Sequence, residues 1–344
     1  MSEYKIRPAS SEDCGSIHEQ MRQLAEFEKL SDKFKLSLNE FIEDGFGDGH
    51  SPYFYALVAE KCADKSIVGY MLYHYSYSSL KGKTIYLLNI YVDPNHRAKG
   101  IASALLEYLC RYAAQNKFMR IESSISKWNE PSIKLHQAFG AVNLYETLGK
   151  EEYRIDFEGI TKAAAKPAKF FLMMSEYKIR LASVKDCCSI HEQMKQLAIV
   201  GHTSQKFSLK LDDFIGDGFS DGHPPYFYAL LAEKCDDKSI AGYLLYHYSY
   251  SSLEGKTIHM ENIYVDSNHR GKGIASALME YLCRFAAENK FMRIESGVLE
   301  SNKPSIKLHQ TFEAINLHEA LGKTEYRIDF ENIKKAAMRP PRFV

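Results

Sequence analysis

Apolar and polar residues near the start of the chain follow two different periods. Tyr4 and Ile6 alternate with polar neighbours, a pattern that predicts a short strand. Ile17, Met21 and Leu24 then recur at helical spacing, which predicts a helix with one buried face. The chain is therefore expected to begin with a strand followed by an amphipathic helix.

A run from Thr84 to Val92 is almost continuously apolar, which predicts a strand buried on both faces in the middle of a sheet. Alternating segments over 53–60 and 67–76 predict a hairpin before it, and a turn at 93–96 leads into a helix over 100–116. The remaining predicted elements are a helix over 38–46, a strand over 119–124, a helix over 131–139, and strands near 142–145 and 153–157. This order indicates an α/β domain built on a mixed sheet.

The same pattern occurs twice. The segment Met1–Arg7 returns unchanged as Met174–Arg180, and the register then holds to the end of the chain. The repeat predicts two domains, over 1–157 and 174–330, joined by a linker over 158–173 and followed by a C-terminal tail over 331–344. Because this linker is short, we expect the two halves of the chain to touch.

Composition narrows the function classes. The formal charge is zero and the isoelectric point is about 7.2, so no basic surface indicates a nucleic-acid or membrane partner. The seven cysteines show neither CxxC pairs nor metal-ligand spacing, which predicts reduced thiols and no metal. With no apolar targeting stretch at the start of the sequence, we expect a cytoplasmic protein.

The strongest local signal is a glycine-containing junction between the central strand and the next helix. It reads Arg97-Ala-Lys-Gly-Ile-Ala102 in the first half and Arg270-Gly-Lys-Gly-Ile-Ala275 in the second. Backbone amides at a helix N-terminus, with Arg and Lys nearby, are typical of a site for a diphosphate. A tight turn without a ligand is the alternative.

With its R-x-x-G-x-A loop, the chain resembles the GNAT acetyltransferase superfamily, and within it the diamine (spermidine/spermine and thialysine) N-acetyltransferases. Further matching segments are Ile6–Pro8, Leu24–Ser31, Asp44–Gly47, Leu57–Glu60 and Trp128–Ile133. The resemblance implies two GNAT-like domains, each with a mixed central sheet flanked by helices. It also implies that the domains form an internal pseudo-dimer, because relatives in this branch are homodimers; further association of whole chains stays open.

The resemblance also implies that acetyl-CoA is the cosubstrate, bound by strand amides and by the loop. The implied positions in the second half are Ile263, Val265, Arg270, Gly271, Lys272, Gly273, Ile274, Ala275 and Asn302, and those in the first half are Ile90, Val92, Arg97, Lys99, Gly100, Ala102 and Asn129. Helix capping is a competing role for the two asparagines. Ala98 replaces a glycine, and if the position needs a left-handed backbone, its methyl group costs about 1–2 kcal/mol.

An amine must lose a proton before it can be acetylated, and a neighbouring carboxylate is the usual base. By the resemblance this base is Glu261, whereas the first half has Leu88 at that position. A strand carboxylate paired with a lysine is the alternative for Glu261. The resemblance further places Phe27, Glu28 and Asn262 near the amine.

Both halves have a histidine, His136 and His309, where the family has the tyrosine that protonates the departing thiolate. Imidazolium can donate this proton, so we expect a catalytic acid at these positions. A structural histidine within the helix is the alternative.

These features predict an N-acetyltransferase that transfers the acetyl group of acetyl-CoA to a primary amine of a small molecule, mainly in the second half. Two alternatives stay open: a catalytically degenerate acetyl-CoA-binding or structural protein, and a protein N-acetyltransferase.

Overall fold

Two seven-stranded sheets form the framework of the protein. In this computed structural model the described residues are 3–144, 146, 150–156, 158, 161, 176–317, 323–329, 331 and 335, with backbone alone for 150–156 and 323–329. Most of the predicted linker and tail therefore lies outside the described residues, as do Tyr145 and Phe157 at the ends of two predicted strands. The predicted domain boundaries stay a prediction.

The first half has the predicted order of elements, and the element ends differ from the predicted ones by at most three residues. Its elements are β1 (Tyr4–Pro8), α1 (Cys14–Phe27), α2 (Leu38–Phe46), β2 (Tyr55–Lys61), β3 (Ile67–Ser78), β4 (Gly82–Val92), α3 (Ile101–Gln115), β5 (Arg120–Ser126), α4 (Glu130–Ala138), β6 (Val142–Asn143) and β7 (Lys150–Asp156).

The second half repeats this order. Its elements are β8 (Tyr177–Leu181), α5 (Cys187–Val200), α6 (Leu211–Phe219), β9 (Tyr228–Lys234), β10 (Ile240–Ser251), β11 (Gly255–Val265), α7 (Ile274–Glu288), β12 (Arg293–Leu299), α8 (Lys303–Thr311), β13 (Ile315–Asn316) and β14 (Lys323–Asp329).

The two halves exchange their last long strands. The first sheet has the order β1-β2-β3-β4-β5-β14-β6, so a strand of the second half lies between two strands of the first. In return, β7 lies between β12 and β13 in the second sheet. Each exchanged strand pairs over seven residues, Asp329 with Arg120 through Lys323 with Ser126 in the first sheet. Each sheet is therefore completed by the other half of the chain.

Apolar residues of successive strand positions point to opposite faces of each sheet, and a helix layer covers each face. In the first half, Leu105 and Leu109 of α3 pack with Leu57 and Met71 on one face. On the other face α1 and α2 pack against Val58 and its neighbours. The second half has the same two layers. Burial on both faces accounts for the nearly continuous apolar runs.

The hairpins β3–β4 and β10–β11 cross between the halves. Tyr77 is buried in the second half against Phe214 and Phe227, and Tyr250 is buried against Phe54 of the first half. The small polar face of β3 meets β10, where the Ser76 hydroxyl lies 3.0 Å from Nε2 of His247. The halves are thus joined through their cores as well as by their exchanged strands.

Two further findings concern membrane-spanning helices and metal sites. In the part of the chain that the structure describes, no helix is long and apolar enough to cross a bilayer. Within the same residues, no group of three or more His, Cys, Asp or Glu side chains could hold a metal ion.

Candidate active sites

In each half the central strand separates from its parallel neighbour halfway along its length. Strand β4 pairs with β5 only over Ile85–Leu87, although β4 continues to Val92. In the second half β11 pairs with β12 over Ile258–Met260 and continues to Val265. Among the residues that the structure describes, one edge of the central strand has no strand partner beyond the fork. Ile90, Val92 and their second-half equivalents lie beyond the fork, as the resemblance requires for amides that hold a ligand.

A β-bulge lies directly at each fork. Strand β10 pairs Leu245 with Asn262 and Tyr246 with Met260, so Glu261 is the extra residue on β11. The equivalent extra residue of the first half is Leu88. Bulges twist a strand and change the direction in which a side chain points. The predicted base and its leucine replacement therefore occupy the most distorted point of their strands.

The junction after the central strand starts a long helix without a side-chain cap. Gly100 adopts a left-handed conformation with φ 81°, and α3 begins at Ile101; Gly273 and α7 have the same geometry. Because the N-cap residue of each helix is a glycine, it supplies no side-chain cap to the first amides. The amides of the first turn and the positive end of the helix dipole are therefore suited to an anion.

Ala98 and Gly271 adopt a left-handed backbone within this loop. Their φ angles are 61° and 76°, so the condition attached to the alanine in the sequence analysis is met. A Cβ at Gly271 would meet no other atom within 4 Å. The cost of alanine at this position is thus a cost of backbone conformation and not of crowding.

The loop arginines bond back to the end of the central strand. Nε of Arg97 donates to the Val92 carbonyl at 3.0 Å, and Nε of Arg270 donates to the Val265 carbonyl at 3.1 Å. Both side chains are at the exposed surface. The Arg270 guanidinium also lies over the Tyr264 ring, 5.9 Å from its centroid. This anchoring keeps a positive charge beside the loop amides.

The loop lysines fasten the loop to the first strand of each half. Lys272 Nζ lies 2.6 Å from Glu176 Oε1 and 2.9 Å from the Tyr177 hydroxyl. Lys99 makes the same two contacts with Glu3 and Tyr4. The hydrogen bonds that the two ammonium groups donate to these partners raise the pKa of both lysines. The ammonium groups therefore remain charged and anchored, close to the surface where a phosphate would bind.

Glu261 is half-buried and is bonded by a residue of the other half. Its Oε1 accepts a 2.8 Å hydrogen bond from the Ser79 amide and a 3.0 Å bond from the Ser79 hydroxyl. Asn262 follows it on β11 and is also half-buried. At the fork of the first half, Asn89 Nδ2 donates at 2.7 Å to the hydroxyl of Ser252, which lies in the corresponding turn of the second half. A contact across the halves at the base was not apparent from the sequence.

The two candidate acids are buried rings bonded within the protein. His309 is 2% exposed; its Nδ1 lies 2.7 Å from the Ser305 carbonyl and its Nε2 lies 2.6 Å from the Ser296 hydroxyl. His136 is 3% exposed, with Nδ1 2.8 Å from the Ser132 carbonyl. Burial lowers the pKa of both. Ser296 pairs with Met260 at the fork, and its hydroxyl contacts the His309 ring. His309 is therefore separated from the fork by one residue, Ser296.

The remaining predicted positions fall into three groups. Asn129 and Asn302 cap α4 and α8 by accepting from the amides of Ser132 and Ser305, so the capping role is observed. The Ile274 side chain lies in the core, and only its backbone can reach the loop surface. Ala102 and Ala275 occupy the first turns of their helices, half-buried.

Phe27 and Glu28 lie at the end of α1, beside the loop over 97–102 of the first half. Phe27 is 51% exposed and packs against Trp128, with 5.6 Å between ring centroids. The Arg97 guanidinium lies 5.7 Å from the Phe27 ring centroid. The Glu28 charge adds to the effect of burial that raises the pKa of Tyr70. The second half has Val200 and Gly201 at these positions, so this grouping exists in one half alone.

Sequence comparison identifies the family. The family described as "Acetyltransferase (GNAT) family" matches residues 18–141 and again residues 191–313. The thialysine N-epsilon-acetyltransferase of Bos taurus is 37% identical over 167 residues, which cover 47% of this chain and 97% of the relative. A spermidine/spermine N(1)-acetyltransferase-like protein 1 of Homo sapiens is 31% identical over 169 residues, or 48% of this chain and 24% of the relative. These relatives correspond to about one half of the chain.

Solved structures that resemble the whole chain support the tandem fold. A tandem GNAT protein from the clavulanic acid biosynthesis pathway aligns with a TM-score of 0.51 and 13% identity, over 95% of this chain and 99% of the other. A GCN5-related N-acetyltransferase from Sphaerobacter thermophilus aligns with a TM-score of 0.50 and 14% identity, over 95% and 96% of the two chains. The forked strands, the loops over 97–102 and 270–275 and the two family matches together show that this chain belongs to the GNAT acetyltransferase family and contains two of its domains in tandem.

Proposed function

We propose that the protein is an N-acetyltransferase that transfers the acetyl group of acetyl-CoA to a primary amine of a small molecule, mainly in its second half. The observation that carries this proposal is the position of Glu261, a half-buried carboxylate on a β-bulge directly at the strand fork. The first half has a leucine there and keeps a similar loop.

The residues of the second half fit a thioester that carries a diphosphate. The edge of β11 that separates from β12 after Met260 offers strand amides, and the first turn of α7, which has a glycine at its N-cap, offers amides at the positive end of a helix. Arg270 and Lys272 add anchored positive charge beside that turn. When bound, acetyl-CoA supplies the acetyl group as a thioester whose carbonyl carbon an amine attacks.

Glu261 has the chemistry that the amine requires. A substrate ammonium must lose a proton to expose its lone pair, and the carboxylate accepts this proton directly or through one water. The C–N bond then forms as the C–S bond breaks, and the thiolate takes up a proton. His309 remains the candidate donor by its position near the fork, and this role stays a prediction, because both ring nitrogens lie close to protein oxygens.

The chemistry of the clefts favours a small amine. The family's acid after the base is asparagine in both halves, at Asn89 and Asn262, and its hairpin acid is Ser78 or Ser251. Fewer carboxylates bind a long polycation more weakly, so a monoamine, a short diamine or a thialysine-like amine fits better than a long polyamine. The similarity of about half of the chain to a thialysine N-epsilon-acetyltransferase agrees with this choice.

The test is thiol release from acetyl-CoA with a panel of small amines and peptides. We expect turnover with small amines, and Glu261→Gln is expected to lower kcat/KM at least about 100-fold, the usual contribution of a positioned base. The matched variant Glu28→Gln is expected to keep kcat within a few-fold. Calorimetry on both variants is expected to show unchanged acetyl-CoA binding.

Three other results would each contradict the proposal. Turnover that survives Glu261→Gln but not Glu28→Gln would place the working site in the first half. Acetyl-CoA binding without turnover of any amine would identify a binding protein. Turnover with peptides alone would identify a protein acetyltransferase.

A further inference from the structure

Two hydrogen bonds connect the first half of the chain to the carboxylate of the second. Both the amide and the hydroxyl of Ser79 donate to the same oxygen, Oε1 of Glu261, at 2.8 and 3.0 Å. Ser79 lies in the turn between β3 and β4 and is 8% exposed, so water competes little for these bonds. A carboxylate held by two donors on one oxygen has a restricted orientation.

The turn that carries Ser79 is itself fixed to the second half. The Leu80 carbonyl accepts from the amides of Ser208 and Leu209, at 2.9 and 3.2 Å. On the other side of Ser79, the Tyr77 ring is buried in the core of the second half. The two donors are therefore held in place by backbone bonds and by packing, independently of Glu261.

The corresponding turn of the second half does something different. Ser252, at the position equivalent to Ser79, accepts a hydrogen bond from the Asn89 side chain at 2.7 Å. The bulge residue next to Asn89 is Leu88, which has no charge to stabilise. Reciprocal turns thus reach both forks, but one of them alone contacts a carboxylate at the bulge.

We propose that Ser79 of the first half is a positioning residue for catalysis in the second half, where its two donors keep the Glu261 carboxylate ionised and aimed at the amine. This inference rests on the proposed function. Donors to the charged form of an acid favour ionisation, so they extend the pH range in which the base can accept a proton. The first half would then be required for turnover even if it catalyses nothing.

Other titratable groups also lie near the carboxylate. Glu261 contributes to raising the pKa of Tyr77 on β3 and of Tyr243 on β10, and burial raises both well above 10. Both tyrosines therefore stay neutral in the range of an assay. Asp217 of α6, the next acid beyond Tyr77, has a pKa raised by burial. A change at Ser79 leaves these groups in place.

The experiment is a pH profile of turnover for Ser79→Ala, which removes the hydroxyl donor and keeps the amide. We expect the acidic limb of kcat to move up by about one pH unit, because loss of a donor to a carboxylate raises its pKa. We also expect kcat to fall about tenfold at neutral pH with little change in the KM for acetyl-CoA. Ser79→Thr, which keeps both donors, is expected to restore the limb.

Ser252→Ala is the matched control, with the same substitution at the equivalent turn. It is expected to leave the acidic limb where it is. A Ser79→Ala enzyme with normal thermal stability and an unmoved limb would overturn the proposal, and so would an equal movement in Ser252→Ala. If Glu261→Gln itself left turnover intact, the proposed function would fail first, and the two failures are thereby distinguished.

Discussion

Ala98 and Gly271 occupy the same left-handed position in the two loops that precede α3 and α7. The energetic cost of a side chain at this position can therefore be tested in both directions, by adding a methyl group to one loop and removing it from the other. Ala98 has φ 61° and Gly271 has φ 76°. A side chain in this region costs about 1–2 kcal/mol. Glycine in turn loses more conformational freedom on folding, by about 0.5–1 kcal/mol relative to alanine. The difference leaves glycine favoured at both positions by about 0–1.5 kcal/mol, or about 0.8 kcal/mol at the midpoints of the two ranges.

We therefore expect Gly271→Ala to lower the free energy of unfolding by this amount and Ala98→Gly to raise it by a similar amount. Crowding does not enter for Gly271, because an added Cβ meets no atom within 4 Å. The assay is urea unfolding followed by circular dichroism, with the variants compared at equal slope.

Gly216→Ala provides the matched control. Gly216 lies within α6, and a Cβ there also meets nothing within 4 Å. Because the backbone is helical, alanine is expected to stabilise the protein, by up to about 1 kcal/mol. If Gly271→Ala stabilised the protein as much as Gly216→Ala does, the argument from backbone strain would be refuted.

Two further predictions concern the buried contacts. The His309 ring lies against the Ser305 carbonyl and the Ser296 hydroxyl. His309→Gln is therefore expected to lower thermal stability and to leave the alkaline limb of the pH–rate profile in place. Loss of that limb with normal stability would instead support a proton donor. Burial lowers the pKa of His309 in the folded protein. The wild-type ring therefore contributes stability above the unfolded pKa of about 6.5, and this stability is lost as the pH falls. The variant is expected to lose less stability than the wild type over the same pH range. Tyr77→Ala and Tyr250→Ala are each expected to lower the free energy of unfolding by about 3 kcal/mol. Both halves of each variant are expected to unfold in a single transition. Two separated transitions in urea would contradict the shared core.

The sequence was sufficient to predict much of the fold and the position of the loops that lead into α3 and α7. The apolar run up to Val92 and the glycine-containing junction are local patterns, so periodicity and motif spacing predict them well. The strain expected at Ala98 also followed from sequence, by comparison with Gly271 in the other half, and the observed φ confirms its condition.

The contacts between the halves could not be predicted in this way. The residues of Lys150–Asp156 look like a strand wherever they pair, and nothing local indicates which sheet they join. The bonds from Ser79 to Glu261 connect positions far apart in sequence, through a turn whose residues are ordinary for a hairpin. Such long-range pairing is decided by the assembled core, and patterns of a few residues do not contain it.

The strand exchange has a consequence for how the two halves can diverge. Two unlike subunits made separately would sort into three kinds of pair, two of them with identical members. A single polypeptide whose sheets each borrow Lys150–Asp156 or Lys323–Asp329 from the opposite half yields the mixed arrangement every time. Every molecule then retains one Glu261, and under the proposed function the other fork no longer needs a carboxylate. Fusion would in this way let Leu88 persist as a tolerated substitution in a division of labour at fixed one-to-one stoichiometry.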